Sequence, residues 1–202
     1  MAPFYGKPRP RIAIACGIIL ITIDLVAVTL RRMRQSGDFD ISMEFGRRFV
    51  SGGHLYQGGL HFPYLPGAAM FYAPFALLPR PLAFLMLYSL AILGLWLVMR
   101  VLAMMVYGPD PVLRAWSWQA IVTLILGSHY IVRDLDDGGP NLILLALVTG
   151  TIYLASAERE VGAAVCLGAA TAFKPTTGIF IPFLVWKRRW RLAAYSALAT
   201  AW

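Results

Sequence analysis

The sequence is short of charge. Only 14% of its 202 residues are Asp, Glu, Lys or Arg, while 59% are hydrophobic; a soluble domain carries about 25% charged residues. A single core in a chain of this length cannot hide so much apolar surface, so lipid must serve as part of the solvent, and the mean hydropathy of +0.67 agrees. Cysteine is scarce: Cys16 and Cys166 both lie inside apolar runs, which points to packed thiols and indicates no disulfide framework. The three histidines, His54, His61 and His129, are too scattered for zinc-binding spacing, although His54 and His61 are candidates to line a polar pocket. No Gly-rich phosphate loop of the nucleotide type occurs, which argues against direct use of a soluble nucleotide. Internal repeats and low-complexity tracts are also absent, and no cleavable leader is evident. The first apolar run is too long for a signal core, and the Arg-rich stretch after it lacks a small-residue cleavage site. The net charge of +8 does not point to nucleic acid, because basic residues in a membrane protein mark cytoplasmic loops and lipid phosphate contacts.

Long hydrophobic runs are what the chain has. Ile12 to Leu30 reads as a retained first span, preceded by KPRPR and followed by RRMR. Pro81 to Val106 is the clearest full span and ends at YGPDP; Trp116 to Val132 follows and leads into an acidic turn, RDLDDGGP; Asn141 to Ser156 is next. Val161 to Phe173 and Thr176 to Trp186 are each too short for a span of about 20 residues. Lys174-Pro175 separates them, which suggests two short or tilted helices meeting at a break, since one long helix would bury Lys174 midway at high cost. The last run, Leu192 to Trp202, stops inside a hydrophobic segment. The expected fold is therefore all-α: a polytopic transmembrane helical bundle, one domain over 1–202, whose sequence reads as the N-terminal portion of a larger protein. The dense basic turn KRRWR is placed in the cytoplasm. With the break at Lys174-Pro175, this puts the Asp38 loop, RDLDDGG and Lys174 on the outer side. The charge bias between the two sides is slight, and RRMR on the outside runs against it.

The densest chemistry lies in the loop between the first two full spans. From Asp38 to Pro79 it holds Asp38, Asp40, Glu44, two histidines, paired arginines and several tyrosines, and a long polar loop of this kind is where function concentrates. Ile41, Phe45 and Phe49 recur every four residues, which suggests a short amphipathic helix capped by Asp38 or Asp40 and ended by Gly52-Gly53. Pro66 to Leu78 is apolar, short and broken by Pro74, as expected of an interfacial or re-entrant helix. Asp38 and Asp40 are candidates for a general base or a cation site, although spacing alone favours a helix cap with a solvated neighbour. Asp24, inside the first span, is a functional candidate by position, with pairing inside the bundle the more common role. Arg31 to Arg34 fit lipid head groups; Lys174, flanked by Phe173 and Pro175, fits a protein cavity. Asp134, Asp136 and Asp137 form an acidic turn, a candidate to bind a cation or a sugar, although solvation is the commoner outcome.

In order, Asp38-Phe39, Arg47, Gly52, Tyr56, Tyr64-Leu65-Pro66, Pro74 and Leu78-Pro79 resemble the first external loop of the family 87 glycosyltransferases. These are polytopic enzymes of the C-type superfamily and include polyprenyl-phosphate-mannose-dependent mannosyltransferases. Gly138 to Asn141 resembles the family's Gly-Gln-x-Asn turn, with Gly139 where Gln is expected. Ala172-Phe173-Lys174-Pro175 and the LVWKRRWR that follows resemble its Lys-Pro break and basic cytoplasmic turn. The resemblance implies an inverting transfer of a hexose, mannose being the first candidate, from a polyprenyl-phosphate donor to a lipid or glycan acceptor. It implies that Asp38 is the base and that Lys174 holds the family's basic position. Asp40, Arg47, Tyr56, Tyr64 and Asn141 join Lys174 as candidates for substrate contact. The expected site lies in the loop over 31–80, on the non-cytoplasmic side of the cell membrane, with membrane lipids as further partners. Neither a cofactor nor a resident metal is required, although Asp38-x-Asp40 leaves a cation open. The alternative reading is a transporter or flippase for a lipid-linked or anionic solute, suited by the Lys174-Pro175 break and by Asp24. A non-catalytic membrane subunit is a third.

Overall fold

The computed structural model describes residues 38–56, 64–108 and 118–200, together with positions 19, 22, 23, 26, 27, 30 and 31. The last group, Ile19 to Arg31, is helical where described. Asp24, Arg32, Arg34, His61 and most of the proposed first span lie outside the described residues.

Every regular element among the described residues is helical. Helix α1 spans Asp38–Val50, with Asp38 and Asp40 in its first turn and Arg47 and Arg48 in its last, the arrangement that complements a helix dipole. It ends in a Schellman turn: Gly52 takes φ 68°, and the Gly53 N–H bonds the Arg48 carbonyl at 2.8 Å. The periodic set Ile41, Phe45, Phe49 describes its buried face only in part. Phe45 is fully buried, but Ile41 is intermediate and Phe49 exposed, and the face is completed by Phe39, Ser42, Met43 and Gly46. The physical reason is Gly46, where α1 meets α2 (Pro66–Ala76). A Cβ at position 46 would lie 2.8 Å from the Tyr72 carbonyl oxygen and 2.9 Å from the Ala76 Cβ. The two backbones thus meet over Gly46 and the buried alanines 68, 69, 73 and 76.

Helix α3, Arg80–Tyr107, runs for 28 residues, about 42 Å. Over Arg80–Val106 it is long and apolar enough to cross a membrane, the one helix among the described residues that is so by itself. Ala83, Phe84, Leu87, Tyr88, Ala91 and Val98 are buried, whereas Trp96, Leu97, Leu102, Met105 and Val106 face outward. Helix α4 (Trp118–Asp137) and helix α5 (Asn141–Ser156) meet at 120°, and together they also pass as a broken apolar span. The acidic run expected as a turn is instead the last turn of α4, which Arg133 and Asp137 support at 3.7 Å; only residues 138–140 form the corner. Helix α5 begins and ends where the sequence placed it.

Helix α6 (Glu160–Phe173) packs on α5 and on the final helix α8 (Trp190–Thr200). Between them a 3-10 turn, Pro175–Ile179, leads into the short α7, Phe180–Trp186. The chain does break at Lys174, whose φ −132° and ψ 112° are extended. The larger core lies at the end of the molecule where α1 to α3, α5 and α6 meet, around Phe39, Tyr72, Phe84, Leu142 and Phe173.

Candidate functional site

The site is built around the corner between α4 and α5. Gly138 takes φ 64°, a conformation that Gly adopts without strain. At Gly139 an added Cβ would run into the Asp134 carboxylate. The missing side chains let the carboxylate reach across the corner. Asp134 is 7% exposed. Its Oδ1 accepts from the Asn141 Nδ2 at 2.7 Å and from the Asn141 backbone N–H at 3.3 Å, and its Oδ2 accepts from the Leu142 N–H at 2.9 Å. A helix start leaves its first N–H groups without intrahelical partners; a side chain of the preceding helix here satisfies two of them. Asp134 was expected in a solvated turn. It is buried because α4 continues past it and aims it at the start of α5.

The chain of bonds continues outward. Asn141 Oδ1 accepts from Lys174 Nζ at 3.1 Å. An ionised carboxylate only accepts hydrogen bonds, so Asp134 turns the Asn141 NH2 inward and its carbonyl oxygen toward Lys174. Lys174 reaches this position because Pro175 ends α6 there. The adjoining Phe173 is clasped by Tyr64, Phe71 and Tyr72, with ring centroids 6.0, 5.0 and 5.6 Å away.

Tyr64 ties this corner to the loop. Its phenol is pushed above the ordinary tyrosine value, first by burial and then by the negative charges of Asp38 and Asp134. Both carboxylates therefore act on one half-buried ring that rests on Phe173. The Tyr56 hydroxyl donates to the Tyr64 carbonyl oxygen at 3.1 Å. Asp38 opens α1, is exposed, and forms no hydrogen bond or ion pair among the described residues. Asp136 is bridged to Arg31 at 3.2 Å, so the end of the first apolar run also reaches this corner.

Asp40 and Arg47 belong elsewhere. Two residues along a helix turn about 200°, so Asp40 leaves α1 on a different side from Asp38. It pairs with the Arg80 Nη2 at 2.7 Å, and Arg47 pairs with Glu44 at 3.2 Å. Both line a cavity of 190 Å³ with Phe39, Met43, Phe75 and Arg80. Of the sequence candidates, then, Asp38, Tyr64, Asn141 and Lys174 gather at one end, Tyr56 supports them through the backbone, and Asp40 and Arg47 lie beside a separate cavity. His54 is exposed, and His129 contacts Tyr130 on α4. No group of three or more His, Cys, Asp or Glu able to hold a metal occurs among the described residues. Sequence reasoning missed the roles of Asp134 and Arg80. The Gly138-Gly139 pair, which clears the way for a carboxylate, was the available signal for the first.

A carboxylate without a partner among the described residues and an ammonium held from one side are suited to taking a proton and meeting an anion. Comparison with known proteins supplies the chemical setting. The family model for Glycosyltransferase family 87 matches residues 62–202, a stretch that includes Tyr64, the Asp134–Asn141 corner and Lys174 and begins after Asp38. No curated protein and no solved structure matches the chain. The match covers well over half of the sequence, and the chain belongs to glycosyltransferase family 87 and is, by that membership, a glycosyltransferase.

Proposed function

We propose that this glycosyltransferase transfers a hexose, with mannose the first candidate, from a polyprenyl-phosphate donor to a lipid or glycan acceptor, inverting the anomeric centre. The observation that carries the reading is the gathering of Asp38, Tyr64, Asn141 and Lys174 at one end of a family 87 chain. The acceptor oxygen attacks the anomeric carbon from the face opposite the phosphate. Asp38 takes its proton, and the bond from the anomeric carbon to the phosphate oxygen breaks. Polyprenyl phosphate leaves as a stable anion, so no acid is needed to protonate it, and Lys174 meets the charge that develops there. Asn141 holds Lys174, while Tyr64 and Tyr56 shape the entry. Asp40 and Arg47, the other candidates for substrate contact, line the separate cavity and take no part in this step.

The same reading makes the protein a multi-pass component of the cell membrane, with the Asp38 loop on its non-cytoplasmic side. Family membership does not favour the transporter alternative. Reconstituted vesicles given a polyprenyl-phosphate hexose and an acceptor test the proposal. Sugar transfer with inversion, lost in Asp38→Asn, is the expected result. Movement of intact donor across the bilayer without transfer would overturn it.

A further inference from the structure

We propose that Asp134 is a positioning residue that sets the direction of the Lys174 ammonium through Asn141. The inference rests on the proposed role of Lys174 toward the donor phosphate and adds a residue that neither the family match nor the sequence candidates assign. Asp134 is buried, and its two oxygens take three donors: the backbone N–H groups of Asn141 and Leu142 and the Asn141 side-chain NH2. The backbone bonds make it a helix cap. The third bond does more. It fixes an amide that would otherwise be free to flip, and it fixes it with the carbonyl oxygen outward, 3.1 Å from Lys174 Nζ. A neutral amide in place of the carboxylate would remove that polarity, since an amide both donates and accepts and so tolerates either orientation of Asn141.

The remaining side of the geometry agrees. Lys174 stands on an extended residue between α6 and the 3-10 turn, so its own backbone does not dictate where Nζ points. Asn141 is its side-chain hydrogen-bond partner among the described residues. Lys174 carries three donors; a single carbonyl orients it and leaves the other two for an incoming anion. A carboxylate in direct contact would compete with that anion for the ammonium. Asp134 acts instead through one neutral amide, which aims the cation without neutralising it at close range.

Two variants separate aiming from capping in the full chain. Asp134→Asn removes the carboxylate. Asn141→Leu leaves Asp134 able to bond both backbone N–H groups and removes only the link to Lys174, so it remains informative if Asp134→Asn fails to fold. The first readout is the rate at which an amine-acylating reagent modifies Lys174 in solubilised protein, followed by peptide mass spectrometry. Both variants should raise this rate several-fold; a rate equal to that of the unaltered protein in both would overturn the proposal. The second readout is affinity for a polyprenyl-phosphate hexose. Each single variant should weaken it about tenfold, the worth of one hydrogen bond to a charged group. In a Lys174→Gln background neither should weaken it further. Additive losses there would reduce Asp134 to a cap and overturn the proposal. Faster acylation with unchanged donor affinity would keep the positioning role and discard the donor-phosphate role of Lys174, so the two readings fail separately.

Discussion

Asp38 and Asp40 carry the same side chain, sit two residues apart and have opposite fates. Asp40 is spent on Arg80, whereas Asp38 is left without a partner among the described residues. A base must be free to accept a proton as the hydroxyl attacks. Asp38→Asn is therefore expected to lower turnover by at least about a hundredfold, the lower range for loss of a general base, with expression and donor binding retained. Asp40→Asn should leave turnover near normal and cost about 1 kcal/mol or less, as for a partly exposed ion pair. Kinetics and melting of both variants in one membrane preparation check this, and a larger turnover loss at position 40 would move the role there. Tyr72 gives a test by pH. Burial pushes its phenol far above the ordinary tyrosine value of 10.0, and its hydroxyl faces Ser42 without hydrogen-bond geometry. A phenol that ionises only in the unfolded chain contributes stability that is intact below pH 10 and lost as pH rises, by up to about 1.4 kcal/mol per pH unit. Tyr72→Phe should be neutral or stabilising at pH 7 and should lose less stability than the unaltered protein from pH 10 upward, read as melting temperature against pH. At this scale the sequence was only partly legible. Asp38 and Lys174 stood out by context and Asn141 by the family resemblance, but nothing in RDLDDGGP distinguishes Asp134 from Asp136 and Asp137. What separates them is the phase of α4, which sends the first toward α5 and the second to Arg31, and phase depends on where the helix stops.

Among the elements, legibility followed composition. Helix α5 had apolar continuity with a Pro before it and AERE after it, and its bounds came out as expected. The break at Lys174-Pro175 came out as well, because proline cannot continue a helix and the residue before it avoids helical backbone. The buried face of α1 did not, because hydrophobic period counts large apolar residues while this face is organised around a glycine. Without a Cβ at 46, α1 settles on the α2 backbone and rotates Phe39 and Met43 inward. Gly46→Val should thus loosen the α1–α2 contact and cost about 1–3 kcal/mol, the usual penalty for overpacking. The obstacle is a backbone carbonyl that cannot swing aside. A lowered melting temperature in detergent, with faster proteolysis near residues 51–53, is the expected signature; an unchanged melt would mean that α1 can shift without cost.

For the whole molecule, the corner residues and the basic turn lie at different points of the helix path. Lys174 and Asp134 share the α4–α5 corner, while Lys187, Arg188 and Arg189 follow α7, where Lys187 stacks on Trp186 at 5.0 Å. The proposed membrane arrangement puts Asp38, Asp136 and Lys174 on the non-cytoplasmic side and Arg188 opposite. Single cysteines at these positions, in a background lacking Cys16 and Cys166, should report this in intact cells: an impermeant thiol reagent should label 38 and 136 and spare 188. Labelling at 188 but not at 38 would reverse the arrangement. The number of crossings was not legible from hydropathy alone, since α4 and α5 pass as a span only as a bent pair and α6 and α7 are each short.

The capped corner has one more consequence, on the timescale of solvent exchange. The first turn of a helix is ordinarily where amide protons are replaced by deuterium soonest, because its N–H groups face water. In α5 the order should be inverted. The amides of Asn141 and Leu142 are bonded to a carboxylate that is itself buried, while Leu144 is the first residue to bond within the helix, to Pro140. The start of α5 should therefore retain its protons longer than the start of α6, where Arg159 offers no side-chain cap.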